Sequence, residues 1–491
     1  MRYKVLGIGM TVFMLAAAAV LTRAETVKER GRVHHHRVGR REGGCDCGGL
    51  SLCTHLPLVV IDTRGQMVPG EVTQARDRFG QMTYTKAPDG DTTVCVDLKV
   101  IDNETANNHP GDKEAFSTDC RLRVRGNSSR RFPKVPYALE FVDDKGENRN
   151  ISVMGMDAHH QWVLNGPILD KSLIRNYMWY NIAGELMDYA PNVRFCELLV
   201  DGQYEGLYLM TESVTGGKDC RLKLAANVNN TQLTGYLLRY DRPTQEDLES
   251  VRDIYTYSER MFQTPQDIAI RYPGKKKLTQ DMAKSIELDY SAFEKALFSF
   301  DYNSDKYGYE QWIDVDSFVD YYLINEFTKN LDAGSYSTYI YKEIGGKFKL
   351  CVWDFNNSCD NYREEAVGPQ GFFMNERAWY FMLMKDGAFV ERVQKRYKEL
   401  RRSYFSEEYL MGYIEETLEF LGSAIERNNE CWKEEIANWG GLIPQERNLS
   451  SHEAAVEQLK SWLTERGRWL DENIHGLEQY GHYSRNKVYA H

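Results

Sequence analysis

The 491-residue sequence lacks several patterns that would assign a function directly. It has no GxxxxGK[ST] loop, which excludes the usual phosphate-binding loop of P-loop nucleotidases, and no internal repeat, which excludes solenoids and propellers. It also lacks an excess of positive charge, since its formal net charge is −11 at pH 7. Because nucleic-acid phosphates attract basic surfaces, we expect no nucleic-acid partner.

The residues that are present are typical of a large globular protein. Hydrophobic residues make up 42% of the chain and aromatic residues 12%. A chain of this length and composition can bury a large core, and we expect two lobes or domains. Ten cysteines are present, but no Cys/His couple indicates a cysteine nucleophile.

Residues 1–24 predict a secretory signal peptide or an uncleaved membrane anchor. Two basic residues precede an uncharged run from Val5 to Thr22, whose 18 residues lie at the boundary between the two kinds of segment. More basic residues follow this apolar run than precede it, and the positive-inside rule would then keep the rest of the protein in the cytoplasm. Short N-terminal apolar segments are most often signals, so we predict an extracytoplasmic protein, secreted or anchored at the outer face of the cytoplasmic membrane.

Residues 25–56 have the composition of a basic, disordered linker. The arginines around His34–His36 favour a solvated segment. Three cysteines and a histidine in this region offer four metal ligands, namely Cys45, Cys47, Cys53 and His55. Their spacing matches no common zinc pattern, so a local disulfide or free thiols are the favoured interpretation.

Residues 57–165 predict a β-rich N-terminal lobe. Runs such as LPLVVID and YALEFVD are β-branched or alternating, and Gly, Pro, Asn and Asp separate them. One turn, Gly126–Ser129, would present backbone N–H groups, the Ser128 and Ser129 hydroxyls and the nearby Arg125 to an anion. An ordinary hairpin turn is the alternative.

Residues 166–480 predict a helix-rich C-terminal lobe. Their later apolar residues recur at spacings of three and four, which is typical of helices that pack against a core. Residues 243–275 are polar and interrupted by proline, which indicates an insertion in this lobe.

A segment from Trp312 to Asn361 organises the larger lobe. Asp314 is the expected N-cap of an amphipathic helix, and two strand-like runs joined by Gly345-Gly346 follow it. We expect the helix to end near Asp332 and the second strand to end at Asp354. The hairpin between them can therefore bring two carboxylates together.

These two carboxylates suit phosphoryl transfer, in which one acid takes the acceptor proton and another holds the metal. Asp332 is the candidate catalytic base, and a helix C-terminal acid, which the macrodipole disfavours, is the alternative. Asp354 is the candidate metal ligand together with Asn356, because Mg²⁺ and Mn²⁺ prefer oxygen donors. An Asx turn is the alternative for Asp354.

The N-x-D motif that ends at Asp332, the Y-x-Y motif of the first strand and the WDF motif around Asp354 resemble the spore coat protein H (CotH) family of atypical protein kinases. The resemblance covers roughly residues 115 to 475. It extends upstream through three further segments, RGNSSRRFPKVPYALEF (Arg125–Phe141), LNGPILDKSLIRN (Leu164–Asn176) and LLVDGQYEGLYLMTE (Leu198–Glu212).

The resemblance implies an α+β, two-lobed, atypical protein-kinase-like fold, with a β-rich N-terminal part and a helix-rich C-terminal part. It implies transfer of the γ-phosphoryl group of ATP to Ser or Thr of an exported or surface protein, with Mg²⁺ or Mn²⁺. The implied nucleotide-binding residues are Arg125, Ser128, Ser129, Lys134, Arg175 and Glu212. Lys134 is expected on a strand and Glu212 is expected to pair with it, although a surface acid at the strand end is the alternative for Glu212.

The sequence departs from the family pattern at two positions. Asn356 stands where a second acid is common, and Ser337 stands where an Asn is often found. Losing a charge and an amide would weaken metal binding or change the metal preference. A pseudokinase is therefore an alternative, as a non-catalytic envelope, spore-coat or cell-surface scaffold that binds a protein or a glycan.

Overall fold

The architecture comes from a computed structural model. It describes residues 31–48, 52–76, 82–225, 233–241, 252–254, 257, 267–362, 364–437 and 444–481. The predicted signal or anchor, residues 1–24, lies outside the described residues. Within the described ranges, no helix has both the length and the apolar character needed to cross a membrane.

Along the described parts of the chain, most strands lie before residue 275 and most helices lie after it. The strands are β1 (Leu58–Asp62), β2 (Val72–Arg76), β3 (Met82–Tyr84), β4 (Val94–Ile101), β5 (Phe116–Val124), β6 (Tyr137–Val142), β7 (Ile151–Val153), β8 (Met156–His159), β9 (Gln161–Asn165), β10 (Val193–Val200), β11 (Gln203–Glu212), β12 (Tyr236–Asp241), β13 (Arg252–Ile254), β14 (Asp267–Tyr272), β15 (Thr338–Lys342) and β16 (Lys349–Cys351). The α-helices are α1 (His35–Val38), α2 (Arg175–Leu186), α3 (Gln280–Leu297), α4 (Val315–Thr328), α5 (Tyr380–Leu383), α6 (Gly387–Leu400), α7 (Glu407–Leu421), α8 (Ser423–Cys431), α9 (Lys433–Ala437) and α10 (His452–Asn473). Short 3₁₀ helices span Ser129–Arg131, Tyr309–Gln311, Met374–Glu376, Gln445–Arg447 and Ile474–Tyr480.

The N-terminal part of the chain forms a closed barrel of seven strands in the order β1-β10-β11-β9-β6-β5-β4. Strand β1 runs parallel to β10 and antiparallel to β4, which closes the barrel. Alternate side chains of each strand point inward and fill the interior, among them Leu98, Leu122, Phe141, Trp162 and Met210. The N-terminal part is sheet-rich, as the sequence predicts, and the barrel also needs β10 and β11, which lie beyond residue 165. Closure depends on long-range strand pairing, which local sequence patterns do not encode.

The C-terminal part combines helices with a five-stranded sheet in the order β13-β14-β12-β15-β16. The chain is thus mixed α+β, with sheet dominating its N-terminal part and helices its C-terminal part. The described residues of the predicted insertion, 243–275, include β13 and β14. These two strands pair with each other, and β14 also pairs with β12, so the insertion extends the sheet.

Helix α4 begins where the sequence predicts. The Asp314 side chain accepts a hydrogen bond from the Ser317 backbone N–H (3.0 Å), as an N-cap does. The helix ends at Thr328, because Lys329 takes a left-handed φ of 44°. Every side chain from Phe318 to Thr328 is buried, so the helix is enclosed on all sides beyond its first turn instead of being amphipathic.

A buried ion pair joins helices α4 and α10. Arg466 Nη2 lies 2.5 Å from Glu326 Oε1, and both side chains are at most 1% exposed. The Glu326 carboxylate also accepts from the backbone N–H groups of Phe373 (2.9 Å) and Met374 (2.6 Å), while Arg466 Nη1 donates to carbonyls in residues 369–371. The pair therefore holds the loop before α5 as well as the two helices.

The predicted disorder of His34–His36 is wrong. His34 contacts the Tyr413 hydroxyl (3.1 Å) and the Glu185 carboxylate (2.7 Å), and the His36 backbone N–H donates to the Tyr177 hydroxyl (2.9 Å). His36 is fully buried. Polar groups of α2 and α7, far away in the sequence, provide partners for these histidines, whereas local composition shows only a basic, polar stretch.

Replacing Arg466 by alanine should lower the free energy of unfolding by about 3–5 kcal/mol, because Glu326 would keep a buried charge without its partner. Guanidinium titration of the purified protein measures this change. Arg468→Ala is the matched control, since Arg468 is exposed on the same helix. Equal losses in the two variants would contradict the structural role of the ion pair.

Acidification should destabilise the protein through His36, whose pKa is lowered to about 3 by burial and by Arg37. Glu416 lies 3.4 Å from His36 Nε2, but burial outweighs it. The ordinary pKa of histidine is 6.5, so between pH 6.5 and pH 3 the unfolded chain binds a proton that the folded protein does not. The free energy of unfolding therefore falls as the pH falls through this window. In His36→Gln the pH slope of the unfolding free energy should decrease by up to about 1.4 kcal/mol per pH unit.

The slope is measured by denaturant titrations between pH 7 and pH 5. His475→Gln is the control, because it removes an exposed histidine and leaves the buried cluster intact. An unchanged slope in His36→Gln would show that this histidine is protonated in the folded protein.

Candidate active site

Asp354 lies three residues after the end of strand β16, which is shorter than predicted, and is held in an unfavourable backbone conformation. Its φ of 54° lies in the left-handed region, which costs a non-glycine residue about 1–3 kcal/mol. Its backbone N–H donates to the Tyr180 hydroxyl of α2 (2.9 Å). The Tyr180 ring also packs against Trp353 and Phe355, with ring centroids 5.7 and 5.9 Å away. These contacts fix the conformation and leave the Asp354 side chain half-buried.

Asn176, at the start of α2, clamps the chain on the other side of Asp354. Its Oδ1 accepts from the Phe355 backbone N–H (2.7 Å), and its Nδ2 donates to Asn356 Oδ1 (2.8 Å). The Asn356 backbone N–H in turn donates to Asp354 Oδ1 (3.3 Å). Asn176 therefore orients the Asn356 side chain directly and holds the backbone that follows Asp354. The only sequence signal for its role is that it closes the LNGPILDKSLIRN segment.

The electrostatic surroundings of Asp354 come from three parts of the chain. Burial raises the pKa of Asp354, whereas the Asn356 N–H and the Arg125 guanidinium lower it. Asp241, the last residue of β12, raises it through like-charge repulsion. Arg125 lies over the Trp353 ring, 5.6 Å from its centroid. The structure thus places the predicted Arg125 close to Asp354 and adds a further carboxylate, Asp241. No sequence signal indicated Asp241, because an acid at the end of a strand is common and has no motif around it.

Asp332 lies on a tight turn after α4. Its carbonyl oxygen accepts from the backbone N–H groups of Ser335 (3.0 Å) and Tyr336 (2.7 Å). The turn is closed by Thr338, whose hydroxyl accepts from the Gly334 N–H (2.8 Å). This hydrogen bonding fixes the backbone from which the Asp332 carboxylate projects.

Asn357 links the Asp332 carboxylate to the chain segment that begins at Asp354. Its Nδ2 donates to Asp332 Oδ2 (3.5 Å), and it follows Asp354 by three residues. The Asp332 turn and the segment that carries Asp354 and Asn356 therefore meet at Asn357. Arg377 flanks the Asp332 turn and donates a hydrogen bond to the Ser335 hydroxyl (2.8 Å). Burial lowers the pKa of Arg377, and the nearby Asp332 carboxylate partly offsets this effect.

Lys134 lies in a different set of contacts. It follows the 3₁₀ turn Ser129–Arg131, not on a strand as predicted, and its Nζ donates to the Leu207 carbonyl (2.6 Å) and to Asn428 Oδ1 (2.5 Å). Burial lowers its pKa to about 7. Among the described residues, none of its hydrogen bonds reaches Asp332 or Asp354.

The predicted pairing of Glu212 with Lys134 is wrong. Glu212 ends β11 and pairs instead with Arg221, whose Nη1 lies 2.5 Å from Glu212 Oε2. The same carboxylate accepts from the Tyr189 hydroxyl (3.1 Å) and the Asn192 N–H (3.0 Å). Arg221, nine positions further along the chain, thus forms the ion pair with Glu212 that the family resemblance implies for Lys134.

The prediction that Arg175 binds a nucleotide is also contradicted. Its side chain is 1% exposed, and all five N–H groups of the guanidinium have acceptors. These acceptors are Asp170 (2.6 Å), Ser172 (3.0 Å), the carbonyls of Ser358 (3.1 Å) and Cys359 (3.2 Å), and Gln458 (2.7 Å). Arg175 is a positioning residue that holds the loop after Asn357.

The predicted anion-binding turn follows Arg125 directly. Gly126 has a φ of 104°, and a Cβ there would lie 1.9 Å from the Ser129 hydroxyl, so the turn requires glycine. Ser128 is exposed and Ser129 is half-buried at the start of the 3₁₀ turn. The geometry is compatible with an exposed turn near the site, and anion binding by the two serines stays a prediction.

The structure thus describes an α+β protein in which the amide of Asn357, three residues after Asp354, donates to the Asp332 carboxylate. The CotH kinase protein family model matches residues 122–470, more than half of the chain, so the chain belongs to this family. It is 24% identical over 244 residues to the inner spore coat protein H of Bacillus subtilis (strain 168). That alignment covers 48% of this chain and 58% of the relative, so the chain spans less than two thirds of the length of the relative.

Removing the Asn176 clamp should loosen the site before it unfolds the protein. Asn176→Ala leaves the buried Phe355 N–H without its acceptor, which should cost about 1–3 kcal/mol and speed hydrogen exchange at Phe355. Tyr180→Phe is the matched control, because it removes the acceptor of the Asp354 N–H and should leave Phe355 protected. Hydrogen exchange resolved to single amides distinguishes the two effects, and equal protection of Phe355 in wild type and Asn176→Ala would refute the clamp.

Proposed function

We propose that this protein is an ATP-dependent protein kinase of the CotH type. It transfers the γ-phosphoryl group to a Ser or Thr hydroxyl of an exported or surface protein. The observation that carries the proposal is the hydrogen bond from Asn357, three residues after Asp354, to the Asp332 carboxylate (3.5 Å), with Arg125 close enough to lower the pKa of Asp354. Family membership supports the same reaction class, since the matching model is that of a kinase protein.

Asp332 is the general base in this proposal. As the acceptor oxygen bonds to the γ-phosphorus and the bond to the ADP leaving group breaks, the Asp332 carboxylate takes the hydroxyl proton. Its backbone is fixed by the turn to Ser335 and Tyr336, and its side chain is half-buried. A base fixed in this way needs little reorganisation when the acceptor arrives.

The residues around Asp354 fit a hard divalent cation. The donor set consists of the Asp354 carboxylate and the Asn356 amide oxygen, with the Asp241 carboxylate close enough to perturb Asp354. Oxygen donors of this kind suit Mg²⁺ or Mn²⁺. A cation held there would neutralise phosphate charge, and Arg125 would add a guanidinium contact to the phosphates.

We further propose that the protein works outside the cytoplasm, on a protein substrate at a spore or cell surface. The likeness to an inner spore coat protein supports a surface location, and the apolar segment at residues 5–22 supports export, with or without a single N-terminal anchor.

A pseudokinase scaffold is the second candidate, and a specific observation favours it. Lys134 and Glu212 bond to other groups and not to each other, so the ion pair that prepares a lysine for phosphate is replaced. Asn356 also stands in place of an acid. A scaffold would keep the fold and bind a protein or glycan partner without transferring phosphate.

Separate substitutions distinguish the roles of the two carboxylates. Asp354→Ala should lose most metal-dependent ATP binding and all activity, because phosphate charge would be poorly neutralised. Asp332→Ala should keep ATP binding and lose transfer by about two to four orders of magnitude, the usual range for one positioned base. Calorimetry with ATP and Mn²⁺ or Mg²⁺, beside a phosphate-incorporation assay, measures both effects.

The control is Asp316→Ala, an exposed acid on the surface of α4, which should bind and react like wild type. If both site variants also behave like wild type, neither residue is catalytic. If wild type binds no nucleotide with either metal, the scaffold replaces the enzyme.

A further inference from the structure

Three cysteines and one histidine converge where the N-terminal segment meets the loop between β4 and β5. One ligand atom from each of Cys45, Cys47, Cys53 and His109 lies within 4.8 Å of all the others. We propose that these four side chains form a structural zinc site of the Cys₃His type. The site is independent of the proposed kinase chemistry.

The backbone places the histidine beside the last cysteine. Thr54 and Asn108 form an antiparallel bridge, with N–H to O distances of 3.1 and 2.7 Å. In antiparallel pairing, the next opposed residues are Cys53 and His109. Asn108 is buried and donates to the Leu56 carbonyl (2.8 Å), which anchors the bridge. The cluster is therefore assembled by hydrogen-bonded backbone as well as by its side chains.

The histidine has the orientation of a metal ligand. His109 Nδ1 lies 3.0 Å from Asp112 Oδ2, which directs Nε2 towards the cysteines. Metal-bound histidines usually donate their second N–H to such a carboxylate. Asp112 is itself held by the His109 backbone N–H (2.9 Å) and by Asn103 Nδ2 (3.2 Å). One ring nitrogen is thus bound to a carboxylate, and the other faces the sulfur atoms.

The sulfur donors and the distances between the ligand atoms favour zinc over other metal ions. Zn–S bonds of about 2.3 Å and Zn–N bonds of about 2.0 Å in a tetrahedron put S and N about 3.5 Å apart. Cys45 Sγ lies 3.5 Å from His109 Nε2. Asn107 Nδ2 donates to Cys53 Sγ (3.0 Å), a bond that suits a coordinated thiolate. Thiolates disfavour Mg²⁺ and Ca²⁺, and four protein ligands are typical of a structural zinc ion, not a catalytic one.

His55, the fourth ligand considered from the sequence, is excluded by its position. Its Nε2 contacts the Phe420 carbonyl of α7 (2.6 Å). The distant His109 takes its place, and no local spacing rule could find it. The bound ion would fasten the segment around Cys45–Cys53 to the barrel, while His34 and His36 fasten the start of the same segment to the helices.

The test is metal analysis of the full-length protein, purified with reductant and zinc and then desalted. Wild type should hold about one zinc per chain, as structural sites do. Cys47→Ser and His109→Ala should hold almost none. Cys95→Ser, which removes an exposed cysteine outside the cluster, should keep the full amount. Replacement of zinc by Co²⁺ should give the visible absorption of tetrahedral thiolate coordination.

A second measurement needs no variant. In the wild-type protein, Cys45, Cys47 and Cys53 should resist alkylation until a chelator removes the metal, whereas exposed Cys95 and Cys431 should react throughout. Wild type without stoichiometric zinc, full zinc in His109→Ala, or a disulfide among the three cysteines in the purified protein would each overturn the proposal.

Discussion

The paired hydrogen bonds between the Asn176 amide and the segment Phe355–Asn356 are the interaction on which the candidate site depends. They tie a hairpin from the helix-rich part to α2, the helix inserted between barrel strands β9 and β10. Arg175, the preceding residue, extends the clamp to the next loop carbonyls. Two adjacent side chains thus set the position of Asp354 relative to the barrel end that carries Arg125.

Local signals were sufficient for the framework of the site. The N-cap at Asp314 and the turn at Gly345-Gly346 could be predicted, because each depends on residues close in sequence. The partners of Lys134, Arg175 and Glu212 could not. Lys134 and Arg175 bond to groups from distant segments and Glu212 bonds to Arg221, and the folded environment, not residue type, decides these partners.

The same division holds for the fold. Alternating strands and helical spacing predicted a β-rich part and a helix-rich part. The pairing of β1 with β10 and the burial of His36 depend on surfaces that exist only after the chain has folded. Asp241 belongs to this class too: it ends β12, in a sheet formed by strands from three separate regions, and only that sheet brings it near Asp354.

Closure of the barrel by β10 and β11 has a consequence for how this protein can be divided. A fragment that stops at residue 165 would expose β1 and β9 as unpaired edges, because their partners β10 and β11 would be missing. Open edges of this kind template association between chains. A fragment that keeps every barrel strand must therefore extend through Glu212, and it carries α2 and Asn176 with it.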